Sequence, residues 1–407
     1  MKFGKYFPFL LIFSAVSAAM EIELSLPSFP DIARAFSVPE KVIEGTISLN
    51  FFGFCIASLL YGPLSDRFGR RPVLLFGTVL FLIGSLCCSL APTIEMILIA
   101  RFVQGLGAAG SFVIVFTMIS DAYKDNEATH WIGVLNAILT ATMALSPILG
   151  GYLNVYFGWS SCYSFVAMMT TVQLILLCKY LPETHRRQIV KADGAIKDYI
   201  QLLSTFRFLQ SSFVPTLLAG AYMAFVSVIP FLYRDQLGMS LSQFSWHQAA
   251  IISSFSVMSY YANRVSGYFG DVRSVLVGSL ISLVATTVLL ALSFFENIPS
   301  VMLITPLMCI FGASCAIPFA VVFSASLSIM PGKNGPASSL LMSMRTLLCA
   351  LTVQLAGNLY DDTLFSTAAI VACCCFVSFF LAIGFYSGKV NVTTDTAEVD
   401  PNAHTII

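Results

Sequence analysis

Glu21, Glu23 and Arg101 are ionisable residues set inside apolar runs, near residues 6–27 and 96–118. A charge at the centre of a bilayer costs roughly 2.5–3.5 kcal/mol on insertion scales, so a residue of this kind usually has a function. Proton exchange is the chemistry that suits the set. Desolvation favours the neutral form of a carboxyl group, and a neighbouring guanidinium favours the ionised form. A carboxyl balanced between the two takes a proton from one side of a membrane and gives it to the other when access alternates. The membrane potential adds roughly 2.3 kcal/mol per charge per 100 mV. Helical depth brings the groups together. Counted from about Phe7 at ~1.5 Å per residue, Glu21 and Glu23 lie roughly 20–25 Å from the inner surface. A fourth span running back from about Met96 puts Arg101 in the same outer third, within reach of one of the two acids. Two residues on a helix turn through about 200°, so the acids point to nearly opposite faces. One faces a central cavity; the other faces bundle packing or the outer interface. A static Glu–Arg bridge is the bland alternative. Arg345, in the eleventh run, either contacts a substrate or gate or snorkels to the interface.

The elements that must position these residues are membrane helices. Of 407 residues 57% are apolar and only 10% charged, whereas an average soluble domain carries roughly 25% charge. Zero net charge offers no field to nucleic acid, which is not an expected partner. Cys87–Cys88 and Cys373–Cys375 lie in apolar runs, where Cys acts as a small hydrophobe, and no metal or disulfide spacing emerges. His130, His185, His247 and His404 are scattered. Nor is there a nucleotide-binding Gly loop or a Ser/His constellation, so an enzyme is not expected. The expected cofactor is none beyond a proton gradient. The expected partners are the lipid bilayer and a small-molecule substrate, with the chain acting as a monomer.

Apolar windows of roughly 20 residues, the length a bilayer core demands, fall near 6–27, 46–64, 73–92, 96–118, 131–153, 161–181, 213–233, 246–266, 274–295, 300–326, 337–359 and 364–386. With both termini cytoplasmic, inner segments hold 15 basic residues and outer segments only 3, Arg34, Lys41 and Arg234. That asymmetry sets the orientation. Residues 1–20 also read as a signal peptide, but cleavage would leave an odd number of spans. The expected organisation is a six-helix bundle over 1–184 and a cytoplasmic linker with a short amphipathic helix over 185–212. A second bundle follows over 213–388, then a polar, disordered cytoplasmic tail over 389–407.

The stretch GPLSDRFGRRP, Gly62–Pro72, joins the second and third windows. Gly62 permits close backbone approach, Asp66 caps or pairs at a helix end, and Arg67, Arg70 and Arg71 stay on the positive inner side. GYFGDVR echoes it after the eighth window, matching Gly62 and Asp66 to Gly267 and Asp271. Weak repeats of this kind suggest paired bundles with a substrate path between them. The expected gate comprises Gly62, Asp66, Arg67, Gly69, Arg70, Arg71 and Asp271.

This stretch resembles the signature loop between the second and third spans of major facilitator superfamily transporters. The resemblance implies an all-α membrane protein of the major facilitator fold, with 12 transmembrane helices in two six-helix bundles around a central cavity. Other patches resemble the bicyclomycin/chloramphenicol-resistance (Bcr/CflA) branch of drug:proton antiporters. Glu23-Leu-Ser-Leu-Pro27 resembles that branch's acid-x-Tyr-Leu-Pro pattern, with Glu for the usual Asp and Ser25 for the Tyr. It implies that Glu23, not Glu21, is the proton-linked acid. Arg101-Phe-Val-Gln104-Gly105 is similar to the family's Arg-x-x-Gln-Gly, which implies an embedded Arg tied to coupling. Ser146-Pro147-Ile-Leu-Gly150-Gly151 resembles the antiporter motif, with Ser146 where Gly is usual. Leu181-Pro-Glu183-Thr184, Pro230-Phe231 with Gly238-Met-Ser240, Asn263-Arg264 and Ala337-Ser338-Ser339 follow in matching order.

A cavity for lipophilic compounds combines aromatic and Met surface with few polar groups. The expected lining is Asn50, Phe54, Gln104, Asn136, Met143, Tyr222, Phe225, Tyr260 and Arg345. The function expected is proton-coupled efflux of multiple drugs or small amphipathic compounds across a bacterial inner membrane. Glu23 would carry the proton and Arg101 would tune its release. A proton-coupled importer of a nutrient or siderophore, or a non-transporting membrane sensor, are the rivals.

Overall fold

A computed structural model describes residues 6–123, 125–184, 192–295, 300–327, 329–330 and 334–395. Among these the regular structure is helical. The elements are α1 (Phe7–Ser25), α2 (Phe29–Phe36), α3 (Glu40–Phe68), α4 (Arg70–Ser89), α5 (Ile94–Ala122), α6 (Asp125–Phe157) and α7 (Ser160–Tyr180). Then come α8 (Ala192–Ser204), α9 (Phe206–Phe231), α10 (Leu241–Phe269), α11 (Asp271–Phe295), α12 (Val301–Leu327), α13 (Asn334–Leu359) and α14 (Phe365–Asp395). A 3₁₀ turn at Leu26–Ser28 links α1 to α2, with Pro27 and Pro30 at the starts of the successive turns. Pro lacks the N–H that a helix start leaves unbonded, so a new turn begins at each of these residues at little cost.

Each expected window is a helix, and most helices overrun their windows. Among the described residues eleven helical segments are long and apolar enough to cross a membrane. The eighth, α10, is a 29-residue helix that falls short by composition. Its polar side chains explain the shortfall. Ser245 and Gln248 are buried against the first bundle, where polarity is paired rather than offered to lipid. In the linker, α8 has Leu202 buried beside Phe208, Leu340 and Leu341. The basic residues Arg186, Arg187 and Lys191 lie outside the described residues. At the other end α14 runs on to Asp395, into the tail expected to be disordered. Extending an existing helix adds a hydrogen bond per residue without a new nucleus. The rest of that tail, 396–407, lies outside the described residues.

The cores show how the bundles meet. One apolar cluster belongs to the first bundle alone, with Leu11, Phe81, Ile114 and Val166 fully or almost fully buried. A larger one crosses both bundles, joining Ile47 and Ile97 to Phe225, Phe311 and Val353. Chain direction puts this shared core in the half of the molecule away from the Gly62–Pro72 loop. That loop marks one end of the molecule, the loop face.

Candidate functional site

Glu21 on α1 and Arg101 on α5 are both buried, and Arg101 Nη1 lies 3.2 Å from Glu21 Oε2. The same nitrogen donates to Gln104 Oε1 at 2.7 Å, one turn along α5. Asn50 of α3 donates to Glu21 Oε1 at 3.1 Å and to the Arg101 carbonyl at 3.2 Å. Gln104 passes a bond to Ser85 of α4 at 2.8 Å, and the guanidinium lies 5.9 Å from the centre of the Tyr163 ring. This network is built wholly from the first bundle.

Glu23, two residues on, points the other way. Its Oε1 accepts from the Tyr222 hydroxyl at 3.3 Å and its Oε2 from Gln248 Nε2 at 2.8 Å. Tyr222 is on α9 and Gln248 on α10, so a carboxyl of the first bundle is held by neutral donors of the second. The two acids take separate places, as their angular offset requires. Arg101 contacts Glu21, not Glu23, so the direct tuning of Glu23 by Arg101 expected from the sequence is not made by contact. The i, i+2 spacing sends the two carboxyls to different faces, and α5 packs on only one of them.

The backbone between them explains the close fit. On α6, Gly150 abuts α1 so tightly that a Cβ there would overlap the Leu24 carbonyl oxygen. Its neighbour Gly151 abuts Ser245 of α10. The stretch Ser146–Gly151 is thus wedged between the bundles, beside the helix that carries Glu23.

Away from the loop face a cluster joins the bundles. Asp31 of α2 accepts from Arg234 through two nitrogens, at 2.8 and 3.2 Å, from Arg34 at 2.6 Å and from Asn154 at 2.5 Å. Arg234 also donates to the Pro27 carbonyl at 3.0 Å, and Arg34 lies 3.2 Å from Asp235. The sequence reading missed this cluster, placing Arg34 and Arg234 only as outer-segment charges. Asp31 and Arg34 at i, i+3 were the available signal; their meeting with Arg234, some 200 positions on, was not. It also missed Glu44, buried on α3 just before the second window.

On the loop face Gly69 turns the chain between α3 and α4 at φ +100°, a conformation costly for other residues. Arg70 bonds Asp66 at 2.6 Å, Ser65 at 2.5 Å and Asp121 at 3.0 Å. The Arg70 and Arg71 amides donate to Glu183 at 3.0 and 3.1 Å, and Arg71 reaches the Cys178 carbonyl at 2.8 Å. Arg67 lies over the Phe68 ring. All these partners are in the first bundle, so the charged loop is tied to its own half. Gly62 faces Ser339 of α13 instead.

The echo in the second bundle has a different register from the one expected. Gly270, at φ +83°, turns the chain between α10 and α11 as Gly69 does between α3 and α4. Aligning the turns places Asp271 opposite Arg70 and Gly267 opposite Asp66. Asp271 accepts from Ser266, the counterpart of Ser65. The turn sets the register because the reversal needs positive φ; the shared Gly-x-x-x-Asp string straddles it differently.

Four expected lining residues are enclosed instead. Asn50 and Gln104 serve the ion pair; Phe54 packs on Phe112 and Phe225 lies in the shared core. Their helices pack too closely there to leave an open surface. Tyr222 and Met143 are half-buried, and Asn136 and Tyr260 are exposed on the loop-face halves of α6 and α10. Among the described residues no hydrogen bond or ion pair joins those two halves. Arg345 is half-buried, with its guanidinium 5.7 Å from the Phe319 ring, and forms no ion pair among the described residues. No group of His, Cys, Asp and Glu able to hold a metal occurs among the described residues.

Two helical bundles, a charged seam between them and polar groups buried at membrane depth define a multi-pass carrier of small molecules. Residues 11–353 match the model of the Major Facilitator Superfamily, and the chain belongs to that family. It is 28% identical over 368 residues to the multidrug resistance protein MdtL of Shigella flexneri serotype 5b (strain 8401), covering 90% of this chain and 92% of that one. Among solved structures it is similar to the human organic anion transporter MFSD10, at TM-score 0.68 and 18% identity over 93% of this chain and 99% of that one. It is also similar to a peptide transporter POT in complex with sulfate, at TM-score 0.77 and 11% identity over 96% of both. These structural likenesses establish the fold.

Proposed function

We propose that this chain exports small amphipathic compounds, several drugs among them, in exchange for protons across a bacterial inner membrane. It works as a monomer with both ends in the cytoplasm and the loop face inward. The bundles are 1–184 and 213–388, joined by the linker 185–212. One observation carries the reading: Glu23 belongs to the first bundle while both its oxygens are held by donors of the second. Gain or loss of a proton at Glu23 changes what Tyr222 and Gln248 can bond, and so changes how the bundles hold together. Glu21 stays with Arg101 and keeps α1 in place. The relatives named for multidrug resistance support drug export, and the excess of inner basic residues supports the orientation.

The test is transport in proteoliposomes with an imposed pH gradient. Gradient-driven flux is lost in Glu23→Gln, while downhill flux of a drug such as a lipophilic dye persists. Gradient-driven flux that survives both Glu23→Gln and Glu21→Gln unchanged removes the mechanism.

A further inference from the structure

Glu44 is the acid the ion-pair network leaves out. It is 0% exposed, and among the described residues neither carboxyl oxygen has a hydrogen-bond partner. Its side chain crosses the seam between the bundles and lies on Gly357 of α13, where a Cβ would overlap Oε2. Glycine at 357 is what leaves room for a carboxyl between the two helices. Ile43, Ile47, Val353 and Ala356, all buried, make the seam apolar around it.

The charged and titratable groups near Glu44 offer no compensation. Glu40 is one turn away on the same helix. Tyr360, just past α13, has a buried hydroxyl that is also unbonded, with Asp362 and Asp235 nearby. Burial, then those carboxylates, push the Tyr360 phenol up. Lys41 lines a crevice with Gln354 and Asn358, and Arg34 and Arg234 are engaged with Asp31 and Asp235. An anion sealed without donor or cation is strongly disfavoured, whereas a neutral acid is tolerated. When α3 and α13 part, water solvates the anion and the penalty disappears.

We infer that Glu44 is a second proton-binding group of this carrier. The face opposite the loop closes with a proton on Glu44, and opening that face releases it. The inference rests on the proton-coupled reading but assigns Glu44 a part distinct from that of Glu23. Glu23 is gripped by two donors of the other bundle, whereas Glu44 lies against the Gly357 backbone and, among the described residues, has no donor.

Hydrogen exchange of the full chain in lipid nanodiscs, read by mass spectrometry, tests it. The pH runs from about 5.5 to about 9, a range that spans documented titrations of buried Glu, with intrinsic exchange corrected for. In the wild type, protection of residues 40–50 and 350–359 falls several-fold as the pH rises. Glu44→Gln stays protected throughout, whereas Glu23→Gln, which leaves Glu44 in place, still loses protection in these segments as the pH rises. A wild type with no pH response in these segments overturns the inference, as does a Glu44→Gln protein that retains the full response. Should Glu44→Gln not fold, Gly357→Ala decides. Its methyl displaces the acid, so the seam is poorly protected at every pH; unchanged protection overturns the inference. Gradient-driven flux that survives Glu23→Gln would remove the proposed role of Glu23, while the exchange response still judges Glu44 on its own.

Discussion

At Arg101 the energies say what the ion pair is for. Taking two charges out of water costs several kcal/mol per ion, and a pair regains that only with ideal geometry and full hydrogen bonding. Arg101 is fully enclosed yet uses a single nitrogen, Nη1, on Glu21 and Gln104; among the described residues its Nε and Nη2 find no hydrogen-bond partner. A pair so incompletely bonded adds little net stability. Its removal by halves is another matter, because one charge is then buried alone. Arg101→Met is expected to lose roughly 3–5 kcal/mol, and the double variant Glu21→Gln, Arg101→Met to recover most of it. Thermal unfolding in detergent measures both, and a double variant no better than the single one contradicts the account. The pair was legible in the sequence because charges inside apolar runs are rare and helical depth is simple arithmetic. Glu44 was not legible: Glu40 and Lys41 beside it make that stretch read as a loop, although α3 already begins at Glu40.

At the scale of elements, helix existence follows from apolar length, and the twelve windows all became helices. What the sequence did not disclose is which faces touch. Phe54 and Phe225 carry the aromatic character of a binding surface, but burial against neighbouring helices decides their role. The echo of the loop was misread because a string match ignores which glycine makes the turn. Packing contrasts test these contacts directly. Gly150→Ala on α6 forces its methyl into the Leu24 carbonyl and is expected to cost about 1–3 kcal/mol as overpacking. Gly133→Ala on the same helix meets nothing within 4 Å and is expected to be neutral, or to gain up to about 1 kcal/mol from helix propensity. Paired thermal-shift measurements distinguish the two. Equal shifts would show that α1 and α6 do not meet as described.

For the whole molecule, closure is unevenly distributed. The shared core and the Asp31 cluster lie away from the loop face, while the charged groups of the Gly62–Pro72 loop bond within their own bundle. Breaking the cluster therefore favours opening on that side. The Arg234 side chain is 13% exposed and that of Asp31 28%, so water screens the pair in part and its worth is on the order of 1 kcal/mol. Since about 1.4 kcal/mol is tenfold in an equilibrium, Asp31→Asn is expected to shift the closed–open balance several-fold toward open. Hydrogen exchange in α2 and in residues 232–236 reads the shift. The reversed pair Asp31→Arg, Arg234→Asp is expected to restore part of the protection that either single reversal loses. Salt supplies an independent lever, because the screening length falls from about 10 Å at 0.1 M to about 3 Å at 1 M. High salt should move wild-type protection toward that of Asp31→Asn and leave the variant nearly unchanged. Equal salt responses in the two would mean that the apolar core, not the cluster, holds that face shut.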